Sequence, residues 1–279
     1  MSAQGSALQP VVTRSGRKRV ASFFADIVLG ASMVNVWRTF AMDDMRQRYR
    51  RSVLGLLWIV LSYATFVLAV TFFFGAFTRA SPSEFVTYVA VGYAAFMFLM
   101  ANIQDGCTVF VQSSTWIKSV SMPLSIHVYR SIFRSLFTFV LNMAVALAAI
   151  IAFGWRPEMT AFLCLPALAI YLVNAVAAQY LLGLVAARFR DITHLIGSVT
   201  RILIFLTPIL WVHEEQTGAR ALVADLNPLT HYIEIFRAPL LGDTPRLISW
   251  AVVLGVTLAL WVAATLAGTH MRRRLPYWV

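Results

Sequence analysis

Long runs of apolar residues alternate with short polar segments along most of this chain. Six runs reach or approach the roughly 20 residues that a helix needs to cross a bilayer. Helices are expected at that depth because every backbone N–H and C=O group must be paired within the segment. The six runs are 53–77, 85–104, 126–153, 159–187, 195–212 and 247–269. The pattern predicts an all-α membrane protein with a six-helix transmembrane domain over 53–270.

Two of the predicted spans carry charges. The third has Arg130 and Arg134 one turn apart near its start, where long side chains can reach the headgroups. The fifth is short and contains Arg201. We therefore expect the fifth span to be broken, tilted or turned toward a polar interior.

Basic residues collect on one side of the predicted spans. The chain has 23 Lys and Arg against 12 Asp and Glu. Most of the basic residues lie just before or at the start of an odd-numbered span, or just after the end of an even-numbered span. The other side holds Arg79, Arg156, Arg220, Arg237 and Arg246. Positive flanks stay in the cytoplasm, so we expect a multi-pass protein of the bacterial inner membrane with both termini inside. This topology accounts for the net charge of +11 without nucleic-acid binding.

The segments before the first span and after the sixth are polar or amphipathic. Residues 1–30 are predicted to be a disordered basic cytoplasmic tail, and 271–279 a short cytoplasmic tail. Residues 31–52 are predicted to form an interfacial amphipathic helix. Its apolar stripe consists of Met33, Val34, Trp37, Phe40, Ala41 and Met45. The helix can act as an anchor for the first span, as a lever that contacts a cytoplasmic partner, or as both.

Two connections between spans have patterns of their own. Segment 112–122 is short and polar, and Pro123 follows it at a position suited to the first turn of a helix. It is either a plain connector or a short transverse helix that exposes Trp116 and Ile117 to a partner. Segment 213–246 predicts a helix near 219–226 and a second one that Asn227 caps and Pro228 begins.

The second connection is unusually long and apolar for a membrane loop. We expect it to be a re-entrant hairpin on the periplasmic side, packed in protein or lining a cavity. Glu234 and Arg237 are spaced to pair on its polar side. The alternative is a surface lid without a transport role.

Chemistry-bearing motifs are largely missing from the sequence. No carboxylate lies within a predicted span interior, which argues against a membrane enzyme and a proton-coupled carrier. No Gly-rich phosphate loop ending in Lys-Ser or Lys-Thr occurs, and the zinc-like start at His213 fails because Thr217 stands where the second His belongs. We predict no catalytic residue, metal site or cofactor in this chain, and interpret Cys107 and Cys164 as reduced, small apolar residues.

Aromatic residues are frequent in the first and fifth spans. They include Trp58, Tyr63, Phe66, Phe205 and Trp211. Most such residues face lipid or pack between helices, and a minority can form a rigid apolar ring around a sugar chain.

Several short motifs, in their order around the spans, carry a family resemblance. They are 48–58 (RYRRSVLGLLW), Lys118 through Met122-Pro123, Arg190-Asp191-Ile192, Thr207-Pro208-Ile209, Asn227-Pro228-Leu229 and 234–237 (EIFR). With them the chain resembles the permeases of ATP-binding-cassette transporters that export O-antigen, capsule or teichoic acid chains. The resemblance covers most of the chain after about residue 30.

The resemblance implies a homodimer joined by two copies of a separate ATPase, which binds ATP and Mg²⁺. It also implies a role for three groups of residues. Contacts with the ATPase would come from Trp37, Phe40, Arg48, Ser114, Trp116, Ile117, Lys118, Arg190 and Asp191. A central channel would be lined by Trp58, Tyr63, Phe66, Phe205 and Trp211, and a periplasmic gate would include Asn227, Pro228, Glu234 and Arg237.

The expected function is therefore export of a lipid-linked polysaccharide, with the O-antigen of lipopolysaccharide favoured over capsule or teichoic acid. The segment from Met122 to Arg134 looks closer to the O-antigen branch. Two other classes stay open at this point: a small-molecule exporter of the same superfamily, and a membrane glycosyl- or acyltransferase. The latter would need a carboxylate pair or a His-Asp arrangement that the sequence lacks.

Overall fold

A computed structural model describes residues 16–50, 52–154, 158–213 and 217–279 of the chain. Residues 1–15 of the expected tail, Arg51, Arg156 and the pair Glu214-Glu215 lie outside these ranges. The described residues form helices joined by turns. The α-helices are α1 (Gly16–Ser32), α2 (Val34–Tyr49), α3 (Leu57–Phe74), α4 (Pro82–Gln112), α5 (Ser114–Ser119), α6 (Ser125–Ala152), α7 (Cys164–Arg188), α8 (Asp191–Leu206), α9 (Ala219–Leu226), α10 (Pro228–Leu241) and α11 (Leu247–Met271).

Among the described residues, five helical segments are long and apolar enough to cross a membrane, and they confirm the all-α membrane class. These segments are Leu57–Phe77, Pro82–Gln112, Ser125–Ala152, Met159–Arg188 and Leu247–Tyr277. A sixth candidate of this kind is the pair formed by α1 from Val20 onward and α2, which are bent by 68° at their junction.

The predicted fifth span is a shorter helix than the others. Helix α8 has 16 residues, or about 24 Å of length, and it ends at Leu206 because a residue before proline is disfavoured in helical conformation. Thr207, Pro208, Ile209 and Leu210 then continue as buried, non-helical chain. The span is thus broken, as Arg201 and the short apolar run indicated.

Helix α4 is the centre of the bundle and is buried along most of its length. It packs against α6, α7, α10, α3 and α8. Its closest approach is to α7, where a Cβ added at Gly106 would lie 2.9 Å from the Cα of Gln179. At Gly183 an added Cβ would lie 2.7 Å from the side chains of Phe110 and Val109. Small residues at such crossings let membrane helices approach closely.

Helix α1 differs from the disordered tail that we expected over residues 1–30. Phe23 and Ile27, four residues apart, are buried on one face of the helix. The Asp26 carboxylate accepts hydrogen bonds from the backbone N–H groups of Leu124 and Ser125, at 3.1 Å each. It therefore caps the start of α6 from a distant part of the chain, which satisfies orphan donors of that helix. Tertiary contacts of this kind order a segment whose polar start resembles a tail.

Contacts bring one set of helix ends together at what we call the basic end. It comprises α1, α2, α5, the start of α6 and the ends of α7 and α11. Arg272 donates hydrogen bonds to Ser22 at 2.7 and 2.8 Å, and the guanidinium of Arg188 lies 5.6 Å from the ring centre of Trp278. The other end, which we call the hairpin end, comprises the ends of α3 and α8 together with α9 and α10.

We expect Gly183→Ala to destabilise the fold, because its methyl group has no space between α4 and α7. Overpacking of this kind costs about 1–3 kcal/mol. The matched control is Gly255→Ala in α11, where an added Cβ meets nothing within 4 Å and helix propensity improves. Thermal unfolding of the purified proteins in detergent, followed by tryptophan fluorescence, should show a lower Tm for Gly183→Ala only. Equal Tm values for the two variants would contradict the close crossing.

Candidate coupling surface, channel face and hairpin

Helices α2 and α5 are joined at the basic end by an aromatic pair. The rings of Phe40 and Trp116 lie 5.1 Å apart at 36°. The Arg130 guanidinium lies 5.6 Å from the Phe40 ring centre, on the side of α6. Trp116 remains 42% exposed. Two segments predicted to contact a partner are thus in direct contact with each other and present one aromatic surface.

The connector between α4 and α6 contains the short helix that was one of the two alternatives. Trp116 and Lys118 are exposed on it, and Ser114 is half-buried. Ile117 differs from the prediction of an exposed docking residue: it packs on a buried cluster that also contacts Trp278. Neighbouring residues of a helix point in different directions, so Ile117 faces the bundle while Trp116 and Lys118 are exposed.

An ion-pair cluster holds α2 against α6. Asp44 accepts a bond from Nε of Arg130 at 2.7 Å, a second from the same guanidinium, and one from Arg134 at 3.0 Å. Arg134 also approaches Asp105 of α4 at 3.8 Å. These side chains are about four-fifths buried, apart from Asp105. Arg130 and Arg134 lie near the start of their span, where the sequence predicts that long side chains can reach the headgroups. Both bind Asp44, because a carboxylate on the inner face of α2 offers two lone-pair-rich oxygens to a bidentate arginine.

Asp44 is a residue that the sequence analysis missed. It lies seven residues after Trp37, on the same face as the buried Ala41 and Met45. Trp37 itself packs between Tyr129 and Phe133 of α6. The sequence does contain a signal for this contact. Asp44 is a carboxylate on an apolar helix stripe, and Arg130 and Arg134 lie one turn apart on another helix.

The other predicted coupling residues are exposed at the same end of the bundle. Arg48 is exposed near the end of α2 and lines a cavity of about 200 Å³ with Asp105 and Arg134. Arg190 and Asp191 are exposed where α8 begins.

The predicted channel residues divide into two groups. Trp58 and Phe205 are mostly exposed on the open faces of α3 and α8. Tyr63 is buried and donates a hydrogen bond to the carbonyl of Ala90, and Phe66 stacks on Tyr93 at 4.0 Å. Tyr63 and Phe66 therefore join α3 to α4 in this subunit.

A cavity of about 580 Å³ opens at the hairpin end. Phe205 and Trp211 line it together with Phe77, Phe85 and Arg220. The indole N–H of Trp211 donates to the carbonyl of Phe205 at 3.2 Å, across the break after α8. The cavity is therefore aromatic on the α8 side and carries one exposed cation on the α9 side.

Helices α9 and α10 form the hairpin that the Asn-Pro pattern predicted. Asn227 accepts a bond from the N–H of Leu229 and so caps α10. The backbone carbonyl of Tyr232 accepts a hydrogen bond from the Tyr171 hydroxyl. The hydroxyl of Tyr232 accepts a second one from the side-chain amide of Asn174. Tyr171 and Asn174 are 7 and 10 residues into α7, or about 10 and 15 Å. The start of α10 therefore reaches well into the bundle, as a re-entrant hairpin does.

Two hairpin residues hold the broken end of α8. The Asn227 amide donates to the Leu206 carbonyl at 3.4 Å and to the Thr207 hydroxyl at 3.0 Å. Arg237, which is buried, donates to the carbonyl of Pro208 at 2.8 Å and lies 3.5 Å from the ring centre of Tyr88. A break at this depth frees backbone acceptors, and these two side chains satisfy them.

The predicted pairing of Glu234 with Arg237 is wrong. Glu234 instead binds Arg246 at 2.7 Å, and Arg246 also reaches Asp225 of α9 at 3.3 Å. Burial acts to raise the pKa of Glu234, but the hydrogen bonds from Arg246 and Ser249 outweigh it and hold that pKa below its ordinary value. Arg237 instead donates to the Pro208 carbonyl at the α8 break, so the two side chains bind different partners.

No group of three or more His, Cys, Asp or Glu side chains in the described ranges is arranged to hold a metal ion. The polar residues described above make structural contacts between helices. The arrangement is that of a membrane transport subunit: a helical bundle with an aromatic contact surface at one end and a re-entrant hairpin at the other.

Residues 33–241 match the family model described as ABC-2 type transporter. Because this match covers most of the chain, the chain belongs to that family, whose members are multi-pass membrane subunits of transporters. It is 26% identical over 229 residues to a Myxococcus xanthus protein named O-antigen export system permease protein RfbA, covering 80% of this chain and 87% of that protein. Two Klebsiella pneumoniae proteins of the same name are 20% identical over 195 residues and 19% identical over 202 residues. These alignments cover 70% and 72% of this chain, and 75% and 78% of the relatives.

We expect Asp44→Asn to loosen α2 from α6, because Arg130 and Arg134 lose the charge that they share. Hydrogen bonds to charged groups contribute about 1.5–3 kcal/mol. The matched control is Asp43→Asn, whose neighbour Arg46 is 3.9 Å away and mostly exposed; exposed pairs contribute about 1 kcal/mol or less. In thermal unfolding in detergent, Asp44→Asn should have a clearly lower Tm than Asp43→Asn. The opposite order would show that the cluster does not hold α2.

Proposed function

We propose that this chain is the channel-forming permease subunit of an ABC transporter that exports a lipid-linked cell-surface polysaccharide, most specifically an O-antigen, across the bacterial inner membrane. The single observation that carries the proposal is the ABC-2 match over 33–241 together with three relatives that share the name O-antigen export system permease. That shared name favours O-antigen over capsule or teichoic acid. It also disfavours a small-molecule exporter or a membrane transferase.

The energy for export comes from a separate ATPase that binds two copies of this chain. The sequence has no Gly-rich phosphate loop of the usual kind, so ATP and Mg²⁺ belong to the partner. The basic end faces the cytoplasm because arginines and Lys118 concentrate there. Both termini therefore lie inside, and the partner meets α2 and α5.

The aromatic surface formed by Phe40 and Trp116 couples movements of the ATPase to the helix bundle. The Phe40–Trp116 contact links α2 to α5, and Asp44 links α2 to α6. A displacement of α5 by the partner therefore acts on α2, and through the ion pairs on α6. Trp116 is suited to the contact because exposed tryptophans are frequent hot spots of interfaces.

Two copies enclose the channel with the open faces of α3 and α8. Both helices pack on α4 along one side and leave large apolar and aromatic side chains exposed on the other. The hairpin end closes the channel toward the periplasm. Its hold on the α8 break, through Asn227 and Arg237, makes α8 and the hairpin move together.

The proposal is tested by deleting the gene in its host and locating the polymer by fractionation and immunoblotting. If the chain exports polymer, the deletion strain retains full-length lipid-linked polymer on the cytoplasmic side of the inner membrane. The wild-type gene then restores polymer at the cell surface. Surface polymer that persists in the deletion strain contradicts the proposal. Loss of polymer from every fraction would indicate a biosynthetic enzyme.

Trp116→Ala should weaken assembly with the ATPase while leaving membrane insertion intact. We expect at least about a tenfold loss of affinity, the scale of an interface hot spot, measured by co-purification and by polymer export. The control is Phe162→Ala, which removes an exposed aromatic side chain of the 3₁₀ turn Met159–Leu163 before α7. If the two variants assemble equally well, the aromatic surface is not the docking surface.

A further inference from the structure

Helix α8 exposes two different stripes side by side. His194, Ser198 and Arg201 form an exposed polar stripe at successive turns. The neighbouring stripe is apolar and equally exposed: Leu195, Val199, Ile202 and Leu206. The opposite face packs on the bundle, where Thr200 binds Gln104 at 2.8 Å. A helix with this division meets water on one stripe and lipid or protein on the other.

Arg201 lies inside the predicted fifth span, away from both ends of α8. It is ten residues after Asp191, which begins α8 at the basic end, or about 15 Å along the helix. Its neighbour Thr200 binds Gln104 of α4, which lines the same cavity as Asp105 and Arg134, so Arg201 lies level with the inner side of that charged cluster. A cation at this depth is strongly disfavoured in lipid and faces a protein interior or a water-filled space.

None of the described residues supplies a counter-charge for Arg201. Its Nε donates to the carbonyl of Gly197 at 3.0 Å, and no ion pair joins it to a carboxylate of the described residues. The helices α3, α6, α7 and α11 contain no Asp or Glu, and Asp105 of α4 faces Arg134.

We propose that the polar stripe of α8, defined by His194, Ser198 and Arg201, lines a hydrated passage in which Arg201 binds the phosphate of the lipid-linked polymer during export. The choice of substrate rests on the proposed function. Charge complementarity favours this ligand, since a guanidinium forms paired hydrogen bonds with phosphate oxygens. Space is available beside the arginine, because a Cβ added at Gly197 meets nothing within 4 Å.

Hydration of the stripe is tested with single cysteines in a background where Cys107 and Cys164 are replaced by alanine. Ser198→Cys and Val199→Cys differ by one position and belong to the polar and apolar stripes. In the assembled permease–ATPase complex with ATP, a membrane-impermeant thiol reagent should label Ser198→Cys at least about ten times faster, because thiolates form in water. Equal rates, or faster labelling of Val199→Cys, overturn the hydrated passage.

Phosphate binding is tested with farnesyl diphosphate and farnesol as probes, on the same complex in nanodiscs of neutral lipid. Arg201→Gln should weaken binding of farnesyl diphosphate about tenfold to a hundredfold and leave farnesol binding unchanged. Arg201→Lys should keep part of the affinity, and the control Arg274→Gln, on the C-terminal segment, should keep all of it.

The outcomes separate this inference from the proposed function. Unchanged diphosphate binding by Arg201→Gln, or an equal loss for both probes, overturns the role of Arg201. So does normal polymer export by Arg201→Leu, which is the result expected if the side chain faces lipid. In each of these cases the deletion experiment still decides whether the chain exports polymer.

Discussion

Polar groups carried into the hydrocarbon must find their partners inside the protein, and this constraint organises the structure. The break after Leu206 exposes backbone acceptors at bilayer depth, and Asn227 and Arg237 of the hairpin bind there. The start of α6 has free N–H groups, and Asp26 of α1 accepts from two of them. In water such groups would be solvated; in a membrane they tie distant segments together.

The same rule gives the bundle two ends of different character. At the basic end, charged and aromatic side chains hold α1, α2 and α5 against the long helices, so a partner that contacts them acts on the bundle as a whole. At the hairpin end, the re-entrant α10 is held both by α7 and by the broken end of α8. The two ends are connected through α4, whose close crossing with α7 leaves no room for a side chain at Gly183.

The long apolar helices and their order could be predicted from the sequence because apolar runs of spanning length have few alternatives in a bilayer. The hairpin was also predictable, since Asn227 and Pro228 begin a helix in any context. The direction of single side chains was harder. Ile117 was expected to be exposed and is partly buried against a core cluster, and the binding of Arg130 and Arg134 to Asp44 was not predicted. The direction of each side chain depends on which residues of other helices lie nearby. A local sequence pattern does not contain the distances between helices.

Sequence by itself therefore determined the class, five of the six predicted spans, the charge asymmetry and the family resemblance of this protein. These properties follow from the energetic requirement for apolar residues in lipid and from local helix signals, both of which act over a few turns of chain. Only the tertiary structure decided that Glu234 pairs with Arg246 instead of Arg237, that α1 is a docked helix, and that Arg201 has no counter-charge among the described residues. The first two facts depend on contacts between residues 12 to 250 positions apart, which packing alone brings together.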